Sequence, residues 1–504
     1  MYYAAVSGAG LEPLDLREEL EKLGAFEAQD STVRKTIARL QLLHSPACSD
    51  EWMAELRAED FELIEEATAT VDGKEVAMAD GCGFIPDEML LRLVCRCGKG
   101  PPGGLEALRR LISEEGLGVN KSPRKSGSVT RGLLDIAREI DAARAARASE
   151  QPAAGQSAVA AALKLLAVQV RVVGPRLGVG KGVLVRKAGI SKIQLPPSMI
   201  KVAPSRTASK EGSGWVSLVI KQTFPSATNR SIGKVLAGQP LSTSEAKKLD
   251  DKAALKGMIT RLWRSLGVPP AVIDAHQRRR AAQRAHAWVV GCADPSDALP
   301  ARHVFVTGLL PHLRAAGLGE LLITRSPCVK PNDGVKLPMP LARPASMAPV
   351  VWEWLCALPF GAVFFSEKGA GPPLPATIAD GDLDGDLYMI CWNADVVSHA
   401  TPRELQSADD PVRGSVLLPA DKAAVSRGAE WLRQVQLKLT DGSMVAEKSF
   451  TGKLYTEMER QAEQKGMDHP DVLALGAAYT RTLEREKHGC EICLPNKLHR
   501  CITR

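Results

Sequence analysis

The sequence predicts an α+β fold in which helices alternate with two groups of short strands. Three observations carry this. Hydrophobic residues fill 45% of 504 positions, enough to bury more than one core. Apolar residues recur at helical spacing near both ends of the chain, while two blocks between them alternate β-branched residues with turn residues. No short period repeats along the chain, so the strand blocks read as separate domains and not as turns of a solenoid.

Taken in order, residues 11–64 contain LDLREELEKLGAF and DEWMAELRAEDFELIEEA, whose apolar spacing reads as amphipathic helix; the expected N-terminal helical region is 1–74. In AMADGCGFI, residues 77–85, Asp80, Gly81 and Gly83 among apolar neighbours suggest a strand meeting a tight turn. A loop, a helix over 105–117, a basic loop over 120–128 and an alanine-rich helix over 131–149 then form an excursion. AVQVRVV, GKGVLVRK and SKIQLPP return to strands at the spacing of a barrel or sandwich, giving a first strand domain over 75–225. Residues 226–300 read as connecting helices, with Lys256, Arg261, Arg264, Arg278, Arg279, Arg280 and Arg284 on them. Strands resume as HVFVTG, GELLITRSP, GAVFFSE and DLYMICW, interrupted by the helix APVVWEWLCAL, for a second domain over 301–400. The tail, 401–504, is helical again.

No apolar run reaches the roughly 18 residues a membrane helix needs. The first residues lack a basic start followed by an apolar stretch, so secretion is not expected. Eleven scattered cysteines do not form a disulfide framework, which points to a reducing compartment, nucleus or cytoplasm. A net charge of +7 permits a polyanionic partner, and only 4% aromatic residues argues against rows of base-stacking side chains.

Residues 379–392, ADGDLDGDLYMICW, place Asp380, Asp382, Asp384 and Asp386 at every second position. Such a density of like charge calls for a neutralising cation, and hard carboxylate oxygens suit Mg²⁺ or Mn²⁺. Two other readings of the segment stay open. One is a calcium loop, because Asp380, Asp382, Asp384 and Gly385 fit D-x-D-x-D-G; its twelfth position, however, falls on Cys391 where a bidentate Glu belongs. The other is a solvated acidic turn. GPRLGVGKG fails as a phosphate loop, since Pro175 stands where the first Gly belongs and Gly182 where Ser or Thr should be. Lys181 and Lys201 remain as cations able to approach phosphate. In the tail, His488, Cys490, Cys493, His499 and Cys501 could hold a structural zinc.

Together, ADGCGFI, the QVR followed by GKGVLV, PPSMIKV, RSPCVKPNDG and DLDGDLYMICW resemble, in order, the cellular RNA-dependent RNA polymerases of RNA silencing. The signature of that family, an Asp, a bulky residue, then Asp-Gly-Asp, is matched by Asp382, Leu383, Asp384, Gly385 and Asp386. The resemblance implies a core of two double-psi β-barrels, the first from about residue 75 to 221 and the second from about 302 to 393. It also implies that Asp382, Asp384 and Asp386 hold the catalytic metal, Mg²⁺ or Mn²⁺, that Lys181 and Lys201 face it from the first barrel, and that Arg325 lies near the incoming nucleotide. The sequence departs from the family at Lys330, Pro331, Asn332 and Asp333, where many relatives read His-Pro-Gly-Asp, and it is shorter than most of them.

The resemblance thus implies a nucleotidyltransferase that copies an RNA template from ribonucleoside triphosphates by a two-metal mechanism, producing double-stranded RNA for silencing, with RNA and silencing proteins as partners. The alternatives are an RNA-binding relative without activity and a structural protein built on a calcium loop.

Overall fold

The structure, a computed structural model, describes residues 53–71, 73–87, 165–204, 214–252, 257–279, 285–402 and 443–488, with isolated positions besides. Ten strands come before the helices that lead to the second sheet: β1 (Met53–Arg57), β2 (Phe61–Leu63), β3 (Thr68–Val71), β4 (Lys74–Ala77), β5 (Cys82–Pro86), β6 (Ala167–Gly174), β7 (Gly178–Lys187), β8 (Ile193–Leu195), β9 (Ile200–Val202) and β10 (Trp215–Phe224). Eight of them make one sheet in the order β1-β10-β6-β7-β5-β8-β2, with β9 also on β7, and β3 and β4 form a separate hairpin.

Helices α1 (Ala227–Leu236), α2 (Thr243–Lys252), α3 (Gly257–Ser265) and α4 (Pro270–Arg278) connect this sheet to a second of six strands. These are β11 (His286–Ala293), β12 (Val304–Val306), β13 (Glu320–Arg325), β14 (Gly334–Pro338), β15 (Ala362–Phe365) and β16 (Leu387–Cys391), in the order β12-β15-β11-β16-β13-β14. Helices α5 (Leu310–Ala316) and α6 (Pro349–Ala357) interrupt them, and α7 (Ala394–His399), α8 (Ser443–Lys465) and α9 (Pro470–His488) follow. The two sheets form a nearly closed barrel and a half-barrel, the double-psi α+β core. Among the described residues no helix is long and apolar enough to cross a membrane.

Alternation along the strands decides what each sheet offers its neighbour. In β6, Val168, Val170 and Val172 are buried in a core that also takes Leu184, Leu218 and Ile220, which leaves Gln169 and Arg171 on the opposite face. Directly paired residues of an antiparallel ladder share a face, so Lys181, opposite Arg171, joins them. Val183, opposite Gln169, shows where that face looks, because it packs into a core shared with the second sheet's Val289, Phe364 and Leu383. In the second sheet, Ile323 and Ile390 enter this shared core. Leu322, Met389 and Cys391 point the other way, into a core closed by α3, α8 and α9.

Two expectations are corrected. Residues 53–63 are two strands joined by a 3₁₀ turn, Ala58–Asp60, not the end of a helical region over 1–74: β1 pairs residue for residue with β10, from Met53 on Val219 to Arg57 on Trp215, and pairing overrides the amphipathic pattern. The second sheet begins at β11, within the stretch 226–300 expected to be helical. All but one of the eight β11 residues are buried, so the run shows no alternation and cannot be told from buried helix by periodicity. The excursion helices over 105–149, and Cys490, Cys493, His499 and Cys501 of the zinc expectation, lie outside the described residues.

Candidate active site

The four aspartates sit on a loop that leads into β16. Its entry is bent by two consecutive left-handed residues, Ala379 and Asp380, each at φ 51°. Gly385, at φ 135°, turns it again, and there a side chain is excluded twice over. The φ is one that L-residues rarely adopt, and a Cβ would lie 2.0 Å from Nε2 of Gln169. The turn at Asp80 and Gly81 from the first sheet presses on the same loop. Leu383 N donates to the Asp80 carbonyl at 2.8 Å, and a Cβ on Gly81 would meet that of Asp384 at 2.6 Å. Sheet one therefore shapes the loop that sheet two carries.

The charges are matched across this contact. Lys181, inside β7, forms an ion pair with Asp384, and Lys201 of β9 pairs with Asp80 at 3.3 Å. From its own sheet, Arg325 reaches Asp386 at 2.6 Å, and Lys330 approaches Asp380 at 3.8 Å. Burial acts to raise the Asp384 carboxyl, but the charge and hydrogen bond of Lys181, helped by Lys201 and Arg171, outweigh it and hold that carboxyl below its ordinary value. For Asp382 the charge of Lys181 and a bond from Asp384 N act in the same direction but are outweighed. Burial, then repulsion from Asp384 and Asp386, pushes its carboxyl up to about 7. Burial also pushes the phenol of Tyr388 well above its ordinary value, with Asp386 adding to it, so the phenol keeps its proton and donates to the Asp382 carbonyl at 2.9 Å.

All six expected site residues are thus gathered at one place: Asp382, Asp384, Asp386, Lys181, Lys201 and Arg325. Four more come with them. Asp80 adds a half-exposed carboxylate from the first sheet, Gln169 donates to the Asp384 carbonyl at 2.9 Å, Arg171 lies beside Asp384, and Tyr388 supports the loop from within the sheet. Burial lowers the Arg171 guanidinium from its ordinary value and Asp384 opposes this. The QVR segment contained the signal for two of them, since alternation in β6 puts Gln169 and Arg171 on one face.

The loop that departs from the family pattern, residues 326–333, is fixed from inside. Asp333 is buried and accepts from Lys330 N at 2.8 Å and from Val329 N, while Thr324 Oγ1 donates to its carbonyl at 2.7 Å. Burial pushes the Asp333 carboxyl up to about 6 against those two backbone bonds.

A calcium loop is excluded. The segment is preceded by a short 3₁₀ turn, Pro375–Thr377, and followed by strand β16, not helices, and its twelfth position, Cys391, is buried in that strand. The seventh position, which in such loops coordinates through its carbonyl, is Asp386, whose carbonyl accepts from Gly291 N at 3.1 Å. Among the described residues no three metal-binding side chains form a ready cage, because Asp384 turns to Lys181 and Asp386 to Arg325. The donor chemistry nonetheless suits a hard divalent cation: three carboxylates share one short loop, and the raised Asp382 marks negative charge that a cation would offset.

Comparison with known proteins points to one kind of protein. Residues 272–503 match the family model described as RNA dependent RNA polymerase. RNA-dependent RNA polymerase 1 of Arabidopsis thaliana is 27% identical over 128 residues, covering 25% of this chain and 10% of the plant protein. The solved structure of the RNA dependent RNA polymerase QDE-1 from Thielavia terrestris superposes with a TM-score of 0.50 at 15% identity, over 97% of this chain and 53% of that one. The chain thus spans about half the length of that structure and shares its fold.

Proposed function

We propose, from the match of residues 272–503 to the RNA dependent RNA polymerase family model, that the chain is a polymerase of the cellular, RNA-silencing type and adds ribonucleotides to an RNA 3′ end opposite an RNA template. The observation that carries this reading is the meeting of two sets of charge: Asp382, Asp384 and Asp386 on one sheet, and Arg171, Lys181 and Lys201 on the other. Phosphoryl transfer between hydroxyl and triphosphate requires in-line placement and neutralised charge, and no covalent nucleophile from the protein.

In this reading the three aspartates hold Mg²⁺ or Mn²⁺. When bound, such ions lower the pKa of the attacking 3′-hydroxyl and stabilise the leaving pyrophosphate. The chain's own cations do the rest. Lys181, with Arg171 beside it on a rigid ladder, orients the triphosphate and offsets the charge that builds on the transferred phosphorus oxygens. Lys201, tethered to Asp80, adds to the same field. Arg325 holds Asp386 and the loop backbone, and in this reading it also lies near the incoming nucleotide. The product, RNA paired with its template, is the kind of molecule that enters silencing.

The test is extension of a labelled primer on single-stranded RNA with four ribonucleotides and Mn²⁺ or Mg²⁺. Template-dependent extension by the chain, absent in Asp384→Asn, is expected. RNA binding without extension by the parent protein would leave only the inactive relative.

A further inference from the structure

The Asp loop has carbonyl oxygens as well as carboxylates, and three side chains take three of those carbonyls. Arg325 Nη1 donates to the Ala379 carbonyl at 2.8 Å, Tyr388 Oη to that of Asp382 at 2.9 Å, and Gln169 Nε2 to that of Asp384 at 2.9 Å. A fourth, Asp386, is taken by the backbone of β11 through Gly291 N. The donors come from three strands, β6, β13 and β16, and two of the glycines around the loop exist to admit them. A Cβ on Gly385 would strike Gln169, and a Cβ on Gly381 would strike Tyr388 Oη at 2.4 Å.

This arrangement bears on which metal the loop accepts. Ca²⁺ takes six to eight oxygens and readily includes backbone carbonyls, whereas Mg²⁺ and Mn²⁺ prefer six ligands dominated by carboxylate and water. A carbonyl bonded to a fixed donor points at that donor and is withheld from a cation. We infer that Gln169, Tyr388 and Arg325 are specificity-determining residues: by occupying the carbonyls of Ala379, Asp382 and Asp384 they reduce the backbone oxygens that the loop offers a cation beside its carboxylates, and so favour Mn²⁺ or Mg²⁺ over Ca²⁺. The inference rests on the polymerase reading only in holding that the loop takes a metal.

The experiment measures Mn²⁺ and Ca²⁺ dissociation constants by titration calorimetry on the full chain, with MnCl₂ and CaCl₂ alone as probes, for the parent protein, Gln169→Leu and Tyr388→Phe. Both variants keep side-chain volume and remove one donor; their melting in the absence of metal is recorded beside the parent's. The parent is expected to bind Mn²⁺ more tightly than Ca²⁺. In each variant a carbonyl is released, Mn²⁺ binding weakens by about tenfold, the lower range for loss of an outer-shell partner, and Ca²⁺ binding holds or strengthens, so the preference falls. A merely structural role would lower melting and leave the ratio of the two constants unchanged. Folded variants that keep the parent's ratio overturn the inference, as does a parent that favours Ca²⁺ or binds neither ion. If the ratio falls as expected but no primer is extended, the selectivity stands and the polymerase reading fails; extension with an unchanged ratio has the opposite meaning.

Discussion

The two sheets contribute to the site in opposite ways. The first offers cations on regular backbone: Arg171 and Lys181 face each other across β6 and β7, and Lys201 sits on β9, paired to the same β7. The second offers carboxylates on irregular backbone, a loop with left-handed Ala379 and Asp380 and a turn only glycine makes at 385. Like charges directly opposite on a ladder repel, and so do aspartates at alternate positions of a loop. Each sheet therefore carries electrostatic strain that the other relieves. Docking the sheets brings the two halves of the site together.

The largest effect expected from breaking this match is on chemistry. Asp384→Asn keeps the shape of the side chain but removes the charge that Lys181, Lys201 and Arg171 hold, and primer extension should fall at least about a thousandfold, beyond the usual loss of a single transition-state contact. Asp382→Asn and Asp386→Asn should do the same, while RNA binding in a filter assay is retained because the change removes no cation that a phosphate would contact. A variant that keeps half its activity would remove Asp384 from the metal-holding set.

On the cationic side the loss is smaller and divided. Lys181→Ala removes the direct partner of Asp384 and is expected to slow nucleotide addition by about a hundredfold, with Lys201→Ala weaker because Lys201 pairs with Asp80 and reaches Asp384 only through space. Single-turnover rates beside RNA affinities separate the two roles. A lysine whose loss weakens RNA binding and spares the rate belongs to the phosphate track, not to the reacting centre.

How much of this was legible in the sequence follows the same division. Asp382, Asp384, Asp386, Lys181, Lys201 and Arg325 sit in short segments whose order along the chain suggested them, and the structure gathers all six. β12, β13, β15, β16 and the helix α6 fell where turn residues and apolar runs put them. β11 escaped because a strand buried on both faces has no period, and β1 and β2 because MAELRAEDFEL suits a helix as well as a sheet edge. Gln169 escaped for another reason. Alternation in QVR gives the face it lies on, but its partner is the carbonyl of Asp384, 215 positions away, a contact that only the docking of two sheets creates.

Asp333 sharpens the comparison from the side of burial without like-charge neighbours in bonding contact. Its carboxyl is raised from 3.8 to about 6, so the unfolded chain gives up that proton before the folded one does. The contribution of this group to stability is then highest below about pH 4, where both states are protonated, and falls as pH rises through the window from about 4 to about 6. Two pKa units correspond to about 3 kcal/mol at most for this group. The difference in unfolding free energy between parent and Asp333→Asn, followed by urea denaturation across that window, should shrink toward lower pH; a difference that stays constant would mean that Asp333 is not the titrating group.

The smallest effect is expected at the fourth aspartate of the loop, and it separates position from composition. Asp380 belongs to the same alternating run as the other three, yet its side chain is 60% exposed and its partner Lys330 stands 3.8 Å away, itself partly exposed. Such a pair contributes about 0 to 1 kcal/mol and weakens further with salt. Its left-handed backbone at φ 51° is one that Asn adopts more readily than most residues, so Asp380→Asn leaves the bend in place. The substitution removes only a screened surface charge at the rim, where Asp382, two residues on, loses a charge held under burial. Primer extension by Asp380→Asn should stay within about threefold of the parent, consistent with so weak a pair, and its melting temperature should move little. Damage equal to that of Asp382→Asn would show that all four carboxylates act as one set, and that the signature's three positions do not mark the working ones.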